Sequence, residues 1–195
     1  MVKKAYKPTM LTLEAYNVLD KARRDLRTHS AARVTFNDVI NEFVKKQLVF
    51  YNLEPSIKEH IRSFVSEVSR ASALKGVILF GSVAKGNHGE YSDIDLFMMV
   101  EGNELAFYRR VVRPALNSIW SKREAISGKG PHLNISPLIV SVSRLKFFSP
   151  IFLDILDYGL VLYDRDDTAS DFLDSLRKIK HKRTNIAGAE VLEWR

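Results

Sequence analysis

The stretch Leu79-Phe80-Gly81-Ser82-Val83-Ala84-Lys85-Gly86, followed by Tyr91-Ser92-Asp93-Ile94-Asp95-Leu96, decides how the chain is read. Val77 to Phe80 is an apolar, strand-favouring run, and Gly81-Ser82 ends it in a tight turn. Glycine lets a backbone approach a phosphate closely. If Ser82 opens a short helix, free N–H groups and the helix dipole point at that anion, and the serine hydroxyl adds a donor. Asp93 and Asp95 are two residues apart in a run that otherwise reads as strand, so both carboxylates leave one face while Ile94 and Leu96 pack inward. Such a pair suits Mg2+ (or Mn2+), which takes one or two carboxylates and completes its shell with substrate phosphates and water. Each piece alone is commonplace, a turn and a solvated acid pair. Their order, with Gly81 and Asp93 separated by 12 positions, is what carries information.

That order resembles the signature of the DNA polymerase beta-like nucleotidyltransferase superfamily. The likeness extends over residues 76 to 195, where Ser136-Pro137-Leu138-Ile139, Leu162-Tyr163-Asp164 and Trp194 look like the small archaeal-type members. It implies an α/β (α+β) fold, a mixed sheet flanked by helices, and transfer of a nucleotidyl group from a nucleoside triphosphate to an unknown acceptor with two divalent metals. It also implies that Gly81 and Ser82 hold the β/γ-phosphates, and that Asp93 and Asp95 ligate metal and are catalytic. Lys85 is a candidate nucleotide-binding cation on physical grounds, because a positive charge beside a triphosphate is useful. One departure stands out. Active members carry a third carboxylate on a later strand, and the matching segment here reads Leu133-Asn134-Ile135-Ser136, with Asn134 or Ser136 where the acid is expected. Neither is a useful base, which leaves Glu90, Glu101 and Glu104 as candidate substitutes.

Upstream, residues 1–72 read as a small helical module and 76–195 as the catalytic-type domain, with the boundary at Ala71 to Gly76, where helical periodicity stops. Phe36, Val39, Ile40, Phe43, Val44 and Leu48 fall on one helical stripe behind a Thr35/Asp38 capping box. Ser56 and Glu59 repeat that box to open a third helix. Thr9-Met10-Leu11-Thr12-Leu13 and the segment from Thr35 to Asn41 resemble a ribbon-helix-helix unit, which implies a homodimer. In that likeness Met10 and Thr12 face DNA bases, and Thr35 and Asn37 clamp a phosphate. A helical bundle that only braces the catalytic domain carries the same stripes, so both readings stand.

The charge is consistent with either. The formal net charge is +7, and residues 1–75 hold 14 Lys/Arg against 8 Asp/Glu, so the excess is N-terminal. Apolar residues at 46% and charged ones at 27% describe a globular chain. The absence of cysteine excludes disulfides, thiolate zinc sites and a cysteine nucleophile. No apolar run is long enough to span a bilayer, no secretory leader is visible, and a cytoplasmic protein is the default expectation. His29, His60, His88, His132 and His181 lack ligand spacing.

Beyond the acids, Asn103 to Lys122 reads as helix interrupted at Pro114, and Leu133 to Val142 as a strand that Pro137 confines to an edge or bulge. Leu160 to Tyr163 is a short strand. Thr168/Asp171 is a capping box for a last helix, Lys178 to Arg183 a charged helix end, and Glu190 to Trp194 a final strand. Two functions follow from these residues: a metal-dependent nucleotidyltransferase, or a degenerate, DNA-binding regulator or antitoxin-like protein that dimerises through its N-terminus.

Overall fold

The computed structural model of the chain describes residues 16, 19–20, 23, 35–36, 39–40, 48–89, 91–126, 134–186 and 189–194. The chain divides into two compact units, 1–44 and 45–195. In the first, Tyr16, Leu19, Asp20 and Arg23 are helical, as are Phe36, Val39 and Ile40. The Tyr16 and Phe36 rings lie 5.2 Å apart, and the Arg23 guanidinium sits 4.3 Å above the Phe36 ring. Thr35 immediately precedes the second helical stretch. Met10, Thr12, Asn37, the Thr9 to Leu13 strand and Asp38 of the capping box lie outside the described residues.

The second unit runs α1 (Pro55–Val68), β1 (Leu74–Phe80), α2 (Gly81–Lys85), β2 (Ile94–Val100), α3 (Glu104–Phe107), a π turn (Tyr108–Val112), α4 (Arg113–Ile126), β3 (Ile135–Ser141), α5 (Ile151–Tyr158), β4 (Leu160–Asp164), α6 (Thr168–Leu176), and the hairpin β5 (His181–Ile186) and β6 (Ala189–Trp194). The main sheet has the order β3-β2-β1-β4. β1 pairs antiparallel with both β2 and β4, whereas β2 and β3 run parallel. A parallel neighbour cannot be reached by a tight turn, so the helices from Glu104 to Ile126 serve as the crossover.

Strand alternation sorts β2 between two cores. Ile94, Leu96, Met98 and Val100 join Ile57, Ile61, Phe64 and Val68 of α1 and Phe107, Val112 and Ala115 of the crossover. Phe97 and Met99 face the other way, into Phe152 and Ile155 of α5 and Ala169, Phe172 and Leu176 of α6. The Phe97 ring lies 5.7 Å from Phe152 and 5.5 Å from Phe172. Helices on both faces explain why the strand reads as one unbroken apolar run after Asp95. α1 packs on this sheet as part of its core.

Three local expectations are corrected. Ser56 does not cap α1, because Pro55 already occupies the first helical position; Glu54 precedes it without a side-chain cap, and Glu59 instead accepts from Ser63 Oγ. Thr168 and Asp171 do not cap α6. Asp164, at the end of β4, accepts from Ala169 N (2.8 Å), Ser170 N (3.0 Å) and Ser170 Oγ (2.7 Å). The basic run from Lys178 is not a helix end, since α6 stops at Leu176 and His181 opens β5, in register with Trp194. The π turn before Pro114 absorbs the clash its ring would make in a regular helix. Among the described residues no helix is long and apolar enough to cross a membrane.

Candidate functional site

β1 delivers the chain to Gly81 in extended geometry, and Gly81 then turns with φ +71°, a left-handed value that side chains resist. A methyl group on its α-carbon would overlap Asp95 Oδ2 and lie 3.0 Å from Asp95 Cγ. The reason is register: Phe80 is the cross-strand partner of Asp95, so the next residue meets the Asp95 carboxylate with bare backbone. α2 buries Val83 and Ala84, leaving Ser82 and Lys85 half-exposed. It closes at Gly86 (φ +72°), after which Asn87 N donates to Ser82 O at 3.1 Å. Phe80, which precedes the helix, offers no side-chain cap to its first N–H groups.

The loop back to β2 is pinned just before the acids. Ser92 N donates to Gly89 O (3.1 Å), and Gly89 N donates to Ser92 Oγ (2.9 Å). In the same loop the His88 Nδ1 is enclosed without a hydrogen-bond partner. Asp93 emerges exposed and Asp95 half-buried, while Ile94 and Leu96 are fully buried between them and beyond. By the alternation of β2, Asp95 shares the face of Phe97 and Met99, which is the face covered by α5 and α6. Burial holds the Asp95 carboxyl above the ordinary value for an aspartate, and the negative charges of Asp93 and Asp154 push it further the same way.

Asp154 is the residue that reading the sequence missed. It sits in α5 with its carboxylate 2.8 Å from Lys85 Nζ, and that ammonium also lies 4.8 Å from the centre of the Tyr158 ring. The only signal for it in the sequence is an acid interrupting the apolar run Phe152-Leu153-Asp154-Ile155-Leu156.

The two residues read as standing where a third acid is expected both lie beside the pair. Ser136 of β3 is level with Asp95 in the parallel ladder, and Ile94 N donates to Asn134 O at 2.7 Å, so both polar residues flank the pair and neither brings a carboxylate. Two of the substitutes lie at the opposite end of the strands. Glu101 follows β2 and pairs with Lys75 at 3.5 Å; Glu104 accepts from Ser141 N (2.8 Å) and pairs with Arg144 (2.9 Å). Glu90 lies outside the described residues. Among the described residues, no group of three or more His, Cys, Asp or Glu could hold a metal by itself. A cavity of about 420 Å³ lies between α1 and β4, lined by Phe50, Ile61, Val65, Leu160 and Leu162, among side chains of the opposite face of the sheet.

Comparison with known proteins adds the family. A model described as nucleotidyltransferase domain matches residues 57–147. A Methanocaldococcus jannaschii protein named "Putative protein adenylyltransferase MJ1305" is 34% identical over 125 residues, which is 63% of this chain and 80% of the relative. Among solved structures, a chain from a toxin-antitoxin complex with AMP-PNP is 14% identical at a TM-score of 0.36, covering 60% of this chain and 81% of that one. Another, from a complex of a tri-AMPylated Shewanella oneidensis HEPN toxin with its MNT antitoxin, is 16% identical at a TM-score of 0.31, covering 67% and 82%.

Proposed function

The chain belongs to the nucleotidyltransferase domain family, and from that premise we propose that it moves a nucleotidyl group from a nucleoside triphosphate to a hydroxyl acceptor at the corner formed by Gly81 and Asp95, with divalent metal bound there. The observation that carries the reading is the contact between the bare Gly81 backbone and the Asp95 carboxylate. It sets a left-handed turn followed by uncapped N–H groups directly beside Asp95 of β2, with Asp93 two residues earlier in the chain. A side chain at Gly81 would collide with Asp95 Oδ2, so only glycine lets the turn stand directly against this carboxylate.

The donor set suits magnesium or manganese: two hard carboxylates, Asp93 and Asp95, with phosphate and water completing the shell. When bound, the ion supplies charge neutralisation at the attacking and leaving oxygens of an in-line displacement. The chain's own residues supply position. In this reading Gly81 and Ser82 receive the β/γ-phosphates on backbone N–H and hydroxyl, and Lys85 adds a cation from the same short helix. The name of the M. jannaschii relative favours ATP as donor and a protein hydroxyl as acceptor. The test is incubation with ATP labelled at the α-phosphate, with and without magnesium, comparing wild type with Asp93→Ala/Asp95→Ala. Label transfer is expected to require both metal and acids, and equal labelling by the double variant eliminates catalysis at this site.

A further inference from the structure

We propose that Asp154 does the work of the carboxylate that β3 lacks, accepting the proton of the attacking hydroxyl. The inference rests on the reading of the site given above, and three features of the molecule lead to it.

First, Ser136 stands level with Asp95 and Asn134 bonds to Ile94, so neither candidate position at the start of β3 brings an acid to the pair. Second, Asp95 faces the side of the sheet on which α5 lies, where Phe152 and Ile155 pack with Phe97. α5 then leads, through Gly159, into β4, whose first residue Leu160 is level with Leu79, at the end of the sheet that carries Gly81. Asp154 is the acid that α5 carries between those packed residues. Third, Asp154 is tied by its 2.8 Å pair with Lys85 to α2, the same five-residue helix whose first residue touches Asp95. One helix therefore holds the phosphate turn at its start and the Asp154 carboxylate at its end. The proximity is felt electrostatically, because Asp154 is one of the two acids whose charge disfavours ionisation of Asp95.

The chemistry balances without a further reactant. The acceptor hydroxyl gives its proton to the Asp154 carboxylate as its oxygen forms a bond to the α-phosphorus of the triphosphate. The bond between that phosphorus and the α,β-bridging oxygen breaks, and its electron pair leaves on pyrophosphate. Lys85 has a part on each side of this step. Before the nucleotide arrives it neutralises Asp154. A triphosphate seated at Gly81 and Ser82 draws the ammonium toward itself and leaves the carboxylate able to take a proton.

The experiment uses the full chain with magnesium and ATP labelled at the α-phosphate, and follows both label transfer and equilibrium binding of the nucleotide. Asp154→Asn is expected to slow transfer by about 10²–10⁴-fold, the usual size of a lost general base, while nucleotide affinity changes less than about 3-fold. Lys85→Met is expected to weaken nucleotide binding instead. In Asp154→Ala, added formate is expected to restore transfer at least about 10-fold by standing in for the missing carboxylate. A residue that merely anchored Lys85 would give Asp154→Asn and Lys85→Met the same binding defect and no response to formate, and that result overturns the proposal. Wild-type transfer by Asp154→Asn overturns it as well, while leaving the reading of the Gly81 and Asp95 corner intact. Loss of transfer in Asp93→Ala/Asp95→Ala, measured alongside, keeps the two failures apart: if that variant labels like wild type, the site reading fails and Asp154 falls with it.

Discussion

The α-carbon of Gly81 faces the Asp95 carboxylate so closely that no side chain fits between them. Position 81 therefore carries two constraints at once, a left-handed φ of +71° and a steric wall made by one of the candidate metal ligands. Gly81→Ala is expected to destabilise the fold by about 1–3 kcal/mol through backbone strain, and to displace Asp95. Thermal unfolding measures the first effect and Mn2+ titration the second. A variant that melts and binds Mn2+ as wild type does would refute the arrangement.

Asp95 also makes stability depend on pH. Unfolded, it titrates near the ordinary value of 3.8; folded, burial and the charges of Asp93 and Asp154 raise it. Between those two points the folded chain holds the extra proton. Stability therefore falls as pH rises through the window, and the penalty is complete above it. Asp95→Asn removes the penalty, so in EDTA at pH 7 it is expected to melt higher than wild type, by a margin that shrinks toward zero as pH falls below the ordinary aspartate value. An unchanged melting temperature at pH 7 would contradict this.

Phe97 is fully buried between Phe152 and Phe172, and it ties β2 to both α5 and α6. Phe97→Ala is expected to cost about 3–5 kcal/mol, read from the urea midpoint at constant slope. Because it also loosens α5, which carries Asp154, any residual activity at low temperature should fall in kcat more than in KM.

Asp164 caps α6 from the preceding strand through two backbone N–H groups and the Ser170 hydroxyl. Asp164→Ala is expected to lower stability by about 0.5–2 kcal/mol without altering label transfer. Chemical denaturation checks the first part, and a fall in transfer would show that α6 reaches the site.

How far the sequence carried these conclusions follows from the range of the interactions. The inward packing of Ile94 and Leu96 was legible because a strand's two-residue period is local, and the turn at Gly81 because left-handed geometry selects glycine. Asp154 was not legible, since it reaches the site only through the packing of α5 on the Phe97 face of the sheet, a contact made by residues more than fifty positions from the acids. The substitutes Glu101 and Glu104 looked nearer in sequence, but a seven-residue strand carries them to the far end of the sheet. The two capping expectations that fall on described residues failed although the acids and hydroxyls were present: a proline in one case and an aspartate arriving from β4 in the other decided where the helix began.

Pro137 adds a consequence for the margin of the sheet. Ile94 bonds to the carbonyl of Asn134, and in a parallel ladder residues alternate in which neighbour they address, so Ser136 turns toward β2 and Pro137 turns outward. The residue without a donor thus stands where no internal bond is lost and where an incoming foreign strand would need one. The border beyond β3 is a poor template for recruiting another polypeptide by backbone pairing, which leaves it able to carry a functional edge without inviting fibrous growth.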